Sequence, residues 1–221
     1  MFSVLFEVNR KPGREDDYLA LAKYLKPILE SVDGFVDNER FESKQRPGWL
    51  LSHSTWRDEK SVVRWRTVGE HHRVQEKGRK DIFQDYHLRV GDVISDTDPT
   101  GAAPVQEMRF DMTEVGKSRF VSFVELTLQD GAAIPLRAEE LPTQLGLADF
   151  PDLEDVDVWA SIYTPGKLAL TAGWRTEAAA RAWAPETFDG VRRVRKRIVR
   201  IVRDYSMRDR REAPQFHEEV S

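Results

Sequence analysis

The chain has 221 residues, 40% of them hydrophobic and 33% charged, with a formal net charge of −4 and no cysteine. That composition suits a soluble globular protein of one large or two small domains. It excludes a disulfide framework, a thiolate metal site and a cysteine nucleophile, and the acidic balance argues against a general nucleic-acid binder.

No apolar run approaches the roughly 18 residues of a membrane span, and the opening Met-Phe-Ser-Val-Leu-Phe-Glu lacks the basic stretch of a signal peptide. A cytoplasmic location is therefore expected. Phe2 to Val8, rich in β-branched and aromatic residues, reads as a strand, with Pro12-Gly13 as the turn after it. From Glu15 to Val32, Tyr18, Leu21, Ala22, Leu25, Ile28, Leu29 and Val32 recur at the spacing of an amphipathic helix. Pro27, which lacks an amide donor, is its weak point. Gly34 to Glu42 reads as a strand, Gln45 to Gly48 as a hairpin turn and Trp49 to Trp56 as a third strand. Asp58 caps a helix through Arg66. Gly69 to Gln84 is a further helical piece interrupted near Gly78, and Tyr86 to Ile94 a fourth strand.

After a linker from Asp96 to Lys117 the same plan recurs. Phe120 to Leu126 is a strand, and Ile134 to Leu145, carrying Pro135 and Pro142, a poorer helix. Val156 to Tyr163 and Lys167 to Trp174 form a hairpin, Thr176 caps a helix from Glu177 to Trp183, and Arg197 to Arg203 is the last strand.

The recurrence is literal. At an offset of 118 positions, Phe2, Glu7, Gly13, Pro47, Gly48, Trp56 and Trp65 match Phe120, Glu125, Gly131, Pro165, Gly166, Trp174 and Trp183. Two rare Trp residues and a Pro-Gly turn held in one register mark a tandem duplication. Each copy has the β-α-β-β-α-β order of a ferredoxin-like domain. Four antiparallel strands with helices on one side leave a bare sheet face, and two such sheets pack face to face. The expected fold is an α+β pseudo-dimeric barrel of tandem ferredoxin-like domains. The first domain spans 1–96, a linker 97–118, a degenerate second domain 119–207 and a tail 208–221.

The copies differ where function is expected. Val90, Val93 and Asp96 match Ile198, Ile201 and Asp204 at an offset of only 108, so about ten residues are missing after Trp183. Four of the five histidines, His53, His71, His72 and His87, fall in the first copy, and His53 becomes Thr171 in the second. One working pocket, in the first domain, is the simplest inference. Between Arg192 and Arg211 there are ten Lys or Arg residues, which read as a solvated outer strand and its flanks.

The pattern of Gly34-Phe35, a strand ending in Trp56, Trp-Arg-x-Glu with a second Trp at 65, and Glu70-His-His-Arg-x-Gln-x-x-Gly-Arg79 resembles antibiotic biosynthesis monooxygenase (ABM) domains. Arg203-Asp-Tyr205 on the last strand is also similar to that family. The resemblance implies oxygenation of a polycyclic aromatic phenol, anthrone or quinol from a polyketide-type pathway. It implies either no cofactor or diffusible reduced FAD or FMN supplied by a flavin reductase, and in two-domain members of angucycline-type pathways it extends to ring opening. The rivals are haem degradation and a non-catalytic aromatic-ligand or stress-response barrel. Relatives that degrade haem carry an Asn where this chain has Glu7 and a His ligand where it has Gln75, and anthrone oxygenases carry an Asn at the place of Ser52.

Oxygenation without a metal needs a base, a pocket that excludes water and donors for an oxyanion or peroxide. His53 or His71 is the expected base, since histidine ordinarily titrates at about 6.5. Trp65 is placed with them as catalytic. Trp56, His72, Tyr86, Glu7 and Arg73 are the expected substrate-binding residues. His71 and His72 lack the i, i+4 spacing of a helical zinc pair, so no metal is expected. The expected partners are an aromatic small molecule and dioxygen, with neither nucleic acid nor membrane, and the chain is expected as a monomer or homodimer.

Overall fold

The structure, a computed structural model, describes residues 1–99, 111–129, 140–147, 150 and 152–214. Its first half runs β1 (Phe2–Arg10), α1 (Glu15–Glu30), β2 (Phe35–Ser43), β3 (Trp49–Trp56), α2 (Glu59–Thr67), α3 (Gly69–Lys77), a π-helical turn (Gly78–Ile82) and β4 (Phe83–Asp96). The second runs β5 (Phe120–Leu128), α4 (Leu141–Gln144), β6 (Leu153–Ser161), β7 (Lys167–Trp174), α5 (Glu177–Ala182) and β8 (Val191–Ser206). Pro27 lies inside α1, which nevertheless continues to Glu30. The poorer helix expected over 134–145 is four residues long where described, and its first part lies outside the described residues. No helix among the described residues is long and apolar enough to cross a membrane.

All eight strands close into a single antiparallel barrel in the order β1-β3-β2-β6-β7-β5-β8-β4. Within each half the register repeats: Phe2 faces Trp56 as Phe120 faces Trp174. Between halves, Phe41 faces Ser161 on one seam and Asp92 faces Arg200 on the other. Closure removes sheet edges, which corrects the reading of the basic last strand as an outer, solvated one. β8 is sandwiched between β4 and β5, and Lys196 and Arg197 on it are buried.

Side chains alternate across each strand. One face fills the barrel with Leu5, Phe41, Leu51, Phe123, Trp159 and Ile201. The other face packs under the helices, around Val8, Leu50 and Phe83 in the first half and Val124, Leu170 and Trp174 in the second. Equivalent caps start the helices that follow each hairpin: Asp58 accepts from the Ser61 amide at 2.8 Å and Thr176 from the Ala179 amide at 3.2 Å. Gly34 holds φ at +87°, and a Cβ there would lie 2.0 Å from Ser61 Oγ, so the turn into β2 admits only glycine.

The barrel interior also holds charge. Glu7 accepts from Arg89 at 2.5 Å and from Arg46 at 2.6 Å, and Arg46 reaches Asp157 at 2.6 Å. The second half repeats the motif as Glu125 with Arg197 at 2.6 Å. Arg89 and Arg197 are themselves related by the 108-residue offset, so the recurrence of glutamate on the first strand of each copy is an ion pair that recurs whole. A carboxylate in low dielectric requires such partners.

Candidate active site

A cavity of about 300 Å³ lies in the first half, between the helix-covered face of its sheet and the helices themselves. Val4 and Phe6 of β1 and Leu88 and Val90 of β4 form an apolar floor. Leu21, Leu25 and Leu29 project from the amphipathic face of α1, the stripe legible in the sequence. Trp65 of α2 and His71 and Gln75 of α3 close one side. The polar side is built by Asn38 and Arg40 of β2 and Ser52 and Ser54 of β3. The second half contributes as well: Arg203 and Tyr205 of β8, and Arg210 beyond it, reach into the same cavity. The site therefore uses both copies although it sits in one.

His71 has the most definite chemistry. Its ring stacks on the Trp65 indole, centroid to centroid 4.0 Å at 14°. Its Nδ1 lies 3.0 Å from the Trp65 carbonyl oxygen. A carbonyl only accepts, so Nδ1 carries the proton and donates, and Nε2 is left with its lone pair. Burial holds the imidazole to about 4, outweighing the hydrogen bond to the carbonyl that favours the charged form. The ring is thus neutral at physiological pH, fixed in one tautomer, with its basic nitrogen unengaged by any described residue.

The polar wall is partly committed and partly open. Asn38 Nδ2 donates to Ser52 Oγ at 3.1 Å and to the His53 carbonyl at 2.8 Å. Ser52 thereby accepts and keeps its own hydrogen for another partner. Arg40 Nε is shielded from solvent and has no acceptor among the described residues. Tyr205, pushed up to about 12 chiefly by burial, remains a neutral phenol. Arg210 donates to the Tyr86 hydroxyl, tying the segment after β8 across the cavity.

Of the residues expected from sequence, Trp65, His71 and Tyr86 meet in this cavity. Trp56 lies behind it, fully buried, its indole N–H on Ser54 Oγ at 2.9 Å and its ring 6.5 Å from that of Trp65. His72, adjacent to His71 on α3, points along the helix toward Glu76 at 3.5 Å. Arg73 is exposed and pairs with Glu70. His53 and Glu7 do not join the others in this cavity, because both project to the opposite face of the sheet, into the barrel. His53 Nε2 meets Ser3 Oγ at 2.8 Å, and its ring stacks on Phe123 at 4.1 Å. Burial, with Arg197 next, keeps it well below the usual histidine range. Glu7 is spent on Arg89 and Arg46. Strand alternation alone could not say which face carried the cavity, because both faces are buried.

Asn38, Arg40, Ser52, Arg203 and Tyr205 had not been singled out as site residues in the sequence. A signal existed. At the 118-residue offset Asn38, Arg40, Ser52 and Ser54 become Val156, Val158, Leu170 and Ala172. The strand registers confirm the equivalence, since Asn38 faces Ser54 as Val156 faces Ala172. Polarity lost on one face of both strands in one copy only is the mark of the lined cavity. Among the described residues no group of three or more His, Asp or Glu side chains is placed to hold a metal ion.

The family described as antibiotic biosynthesis monooxygenase matches residues 1–77. A protein of Pyricularia oryzae named jasmonate monooxygenase ABM is 39% identical over 225 aligned positions, covering 100% of both chains. Among solved structures, an aldoxime dehydratase superposes with a TM-score of 0.57 at 12% identity, covering 96% of this chain and 88% of that one, a likeness of fold. An anthrone oxidase-like protein aligns over 97% of this chain and 96% of that one, at 15% identity and a TM-score of 0.37.

Proposed function

Because the chain belongs to the antibiotic biosynthesis monooxygenase family and is a monooxygenase, we propose that the first-half cavity is its active site and that His71 is its general base. The observation that carries this reading is the Trp65 carbonyl on His71 Nδ1, which fixes the proton there and leaves Nε2 able to accept one. The base is weak while the cavity is empty, since burial disfavours the imidazolium. It therefore suits a proton whose departure leaves an anion beside it, because the new ion pair offsets the desolvation. A substrate carbanion or phenolate formed this way is electron-rich enough to reduce dioxygen. With the substrate as the sole electron source, a CH₂ becomes a carbonyl and the second oxygen atom leaves as water. With a diffusible reduced flavin, a C–H becomes C–OH and the flavin supplies the two electrons that form the water. Ser52, whose hydroxyl hydrogen is uncommitted, lines the same cavity and is a donor for the oxygen that gains charge.

The volume of about 300 Å³ is at the low end of ligand sites. Jasmonate, which names the Pyricularia oryzae relative, is a compound of that size, with one ring and an apolar side chain.

Oxygen uptake is to be followed with jasmonate, with small phenols and with anthrones and hydroxyquinones, each with and without enzymatically reduced FMN or FAD. Uptake that depends on the protein, with one labelled atom of ¹⁸O₂ in the product and loss on His71→Ala, supports the reading. Uptake unchanged in His71→Ala would remove His71 from the reaction, and no uptake with any arm would leave the cavity as a binding site.

A further inference from the structure

The charge around the cavity is lopsided in a way that oxygenation does not require. Among the described residues Arg40, Arg66, Arg79, Arg203 and Arg210 line it, against one carboxylate, Glu59. Arginine remains charged at any physiological pH. Most other buried or half-buried arginines in this molecule face acids: Arg89 has Glu7, Arg197 has Glu125, Arg195 has Asp96 and Arg200 has Asp92. Arg40 does not. It is half-buried on β2, opposite Ser52, and its Nε is shielded from solvent with no acceptor among the described residues. Arg40 shares its orphan Nε with Arg89 and Arg197 but differs from them in having no facing carboxylate among the described residues, so its charge is open to an anion that enters the cavity.

We propose that the cavity recognises its substrate as an anion, a small carboxylate with an apolar body, and that Arg40 is the residue that selects the carboxylate. The proposal rests on the reading of this cavity as the active site and adds the class of substrate. The planar fork of a guanidinium matches a carboxylate. Ser52, on the neighbouring strand, has a hydroxyl hydrogen that Asn38 leaves unused. The apolar floor of Phe6 and Leu88 and the α1 leucines then accommodate the rest of the molecule. The second half gives an internal control. The position of Arg40 is Val158 there, Ser52 is Leu170, and the same strands pair in the same register around a packed core. The fold therefore tolerates an apolar residue at this position, and the guanidinium is retained where there is a cavity for it to face.

The test is binding, read without turnover. The intact chain is titrated with the anionic fluorophore 1-anilinonaphthalene-8-sulfonate, which is then displaced by jasmonate, by 4-phenylbutyrate, by the methyl ester of each and by FMN. The expected result is displacement by the two carboxylates at concentrations at least about tenfold below those of their esters, the scale of one charge-assisted hydrogen-bonded pair. In Arg40→Met the carboxylate advantage should vanish while the ester affinities stay in place, and Arg40→Lys should restore part of it. Esters that compete as well as acids, a loss in Arg40→Met shared equally by acid and ester, no displacement by either acid, or displacement by FMN alone would each overturn the assignment. Because no oxygen chemistry is involved, failure here is distinguishable from failure of the oxygenase reading, which oxygen uptake decides.

Discussion

The two halves of this molecule carry the same strands, the same paired tryptophans and helices capped at the same place, yet the first encloses a cavity where, among the described residues, the second places core side chains. In the first half Phe6 and Leu88 face each other across β1 and β4; in the second the same places hold Val124 and Lys196. Helix α3 has no counterpart after α5, whose last carbonyls would otherwise be unsatisfied. Lys196 takes over that duty, donating to the Ala180 carbonyl at 2.6 Å and to that of Trp183, over whose ring it also lies. In the first half the Trp65 carbonyl is instead met by His71 and by the Val68 amide. One atom of the fold, the carbonyl of the second tryptophan, is thus served by a lysine that fills a core or by a histidine that faces a cavity. Leu141, Leu145 and Leu147 complete the filling, and the Trp183 indole donates to the Leu145 carbonyl at 2.8 Å. The comparison teaches that apolar side chains and one buried cation stand in the second copy where the first has a polar wall and a cavity, on a barrel common to both.

The sharpest way to break the comparison is at the histidines. His71→Ala should lower kcat/KM by about 100-fold or more, the usual scale for removing a general base, with little loss in urea stability. His53→Ala should do the reverse, since it empties a stacked site in the barrel and frees Ser3. A cost of about 1–3 kcal/mol in unfolding with kcat/KM within a few-fold of wild type is expected. If the two variants exchange roles, the cavity is not the active site. The pH profile sharpens the same point. His71 is lowered to about 4, so the acid limb of kcat/KM should fall near that value in the free enzyme. Its neutral form is favoured on folding. Its contribution to stability is therefore complete above about 6.5 and is lost as pH falls toward 4. An acid limb at about 6.5 would point to an exposed histidine.

Much of the fold was legible because the tryptophans at 56 and 174, and at 65 and 183, fixed one register for both copies. From that register follow the strand order, the bare faces and the barrel. The site was less legible for a physical reason. In an open sheet one face is wet, and alternation separates core from surface. Here both faces are buried, so His53 between Leu51 and Thr55 has the same local pattern whichever way it points. Only the closed barrel assigns the odd positions of β1 and β3 to the interior and the even ones to the cavity. Arg203 and Arg210 were harder still, because they reach the first half's cavity from the end of the second copy. No local pattern records that neighbourhood.

The barrel's own charges allow the next comparison. Glu7 is held below the usual carboxylate range: burial raises it, but Arg89 and Arg46 together win. Its stabilisation is present above about 4.5 and is lost as pH falls through its lower folded value. Glu7→Gln leaves Arg89 and Arg46 facing a neutral amide inside the barrel and should cost about 3–5 kcal/mol at pH 7. Glu125→Gln should cost less, since its carboxylate is more exposed than that of Glu7. Equal losses in urea unfolding would mean the two pairs are interchangeable. Lys196→Met follows, at about 2 kcal/mol, because it strands two buried carbonyls while keeping most of the volume. Oxygen uptake should not move.

The smallest effect tests the part of the comparison that ought not to differ. Asp58 and Thr176 cap equivalent helices, one with a carboxylate and one with a hydroxyl. Each satisfies an amide three residues on, which has no partner within its own helix. Asp58→Ala and Thr176→Ala should therefore each cost about 1 kcal/mol in urea unfolding. The two part company in function. α2 carries Trp65 and leads into α3 and His71, so fraying its first turn loosens a wall of the cavity. Asp58→Ala should raise KM for a bound carboxylate a few-fold. α5 packs Trp183 against a filled core, and Thr176→Ala should leave KM where it is. Equal stability losses with unequal changes in KM are what two copies of one fold require when the active site is the first-half cavity.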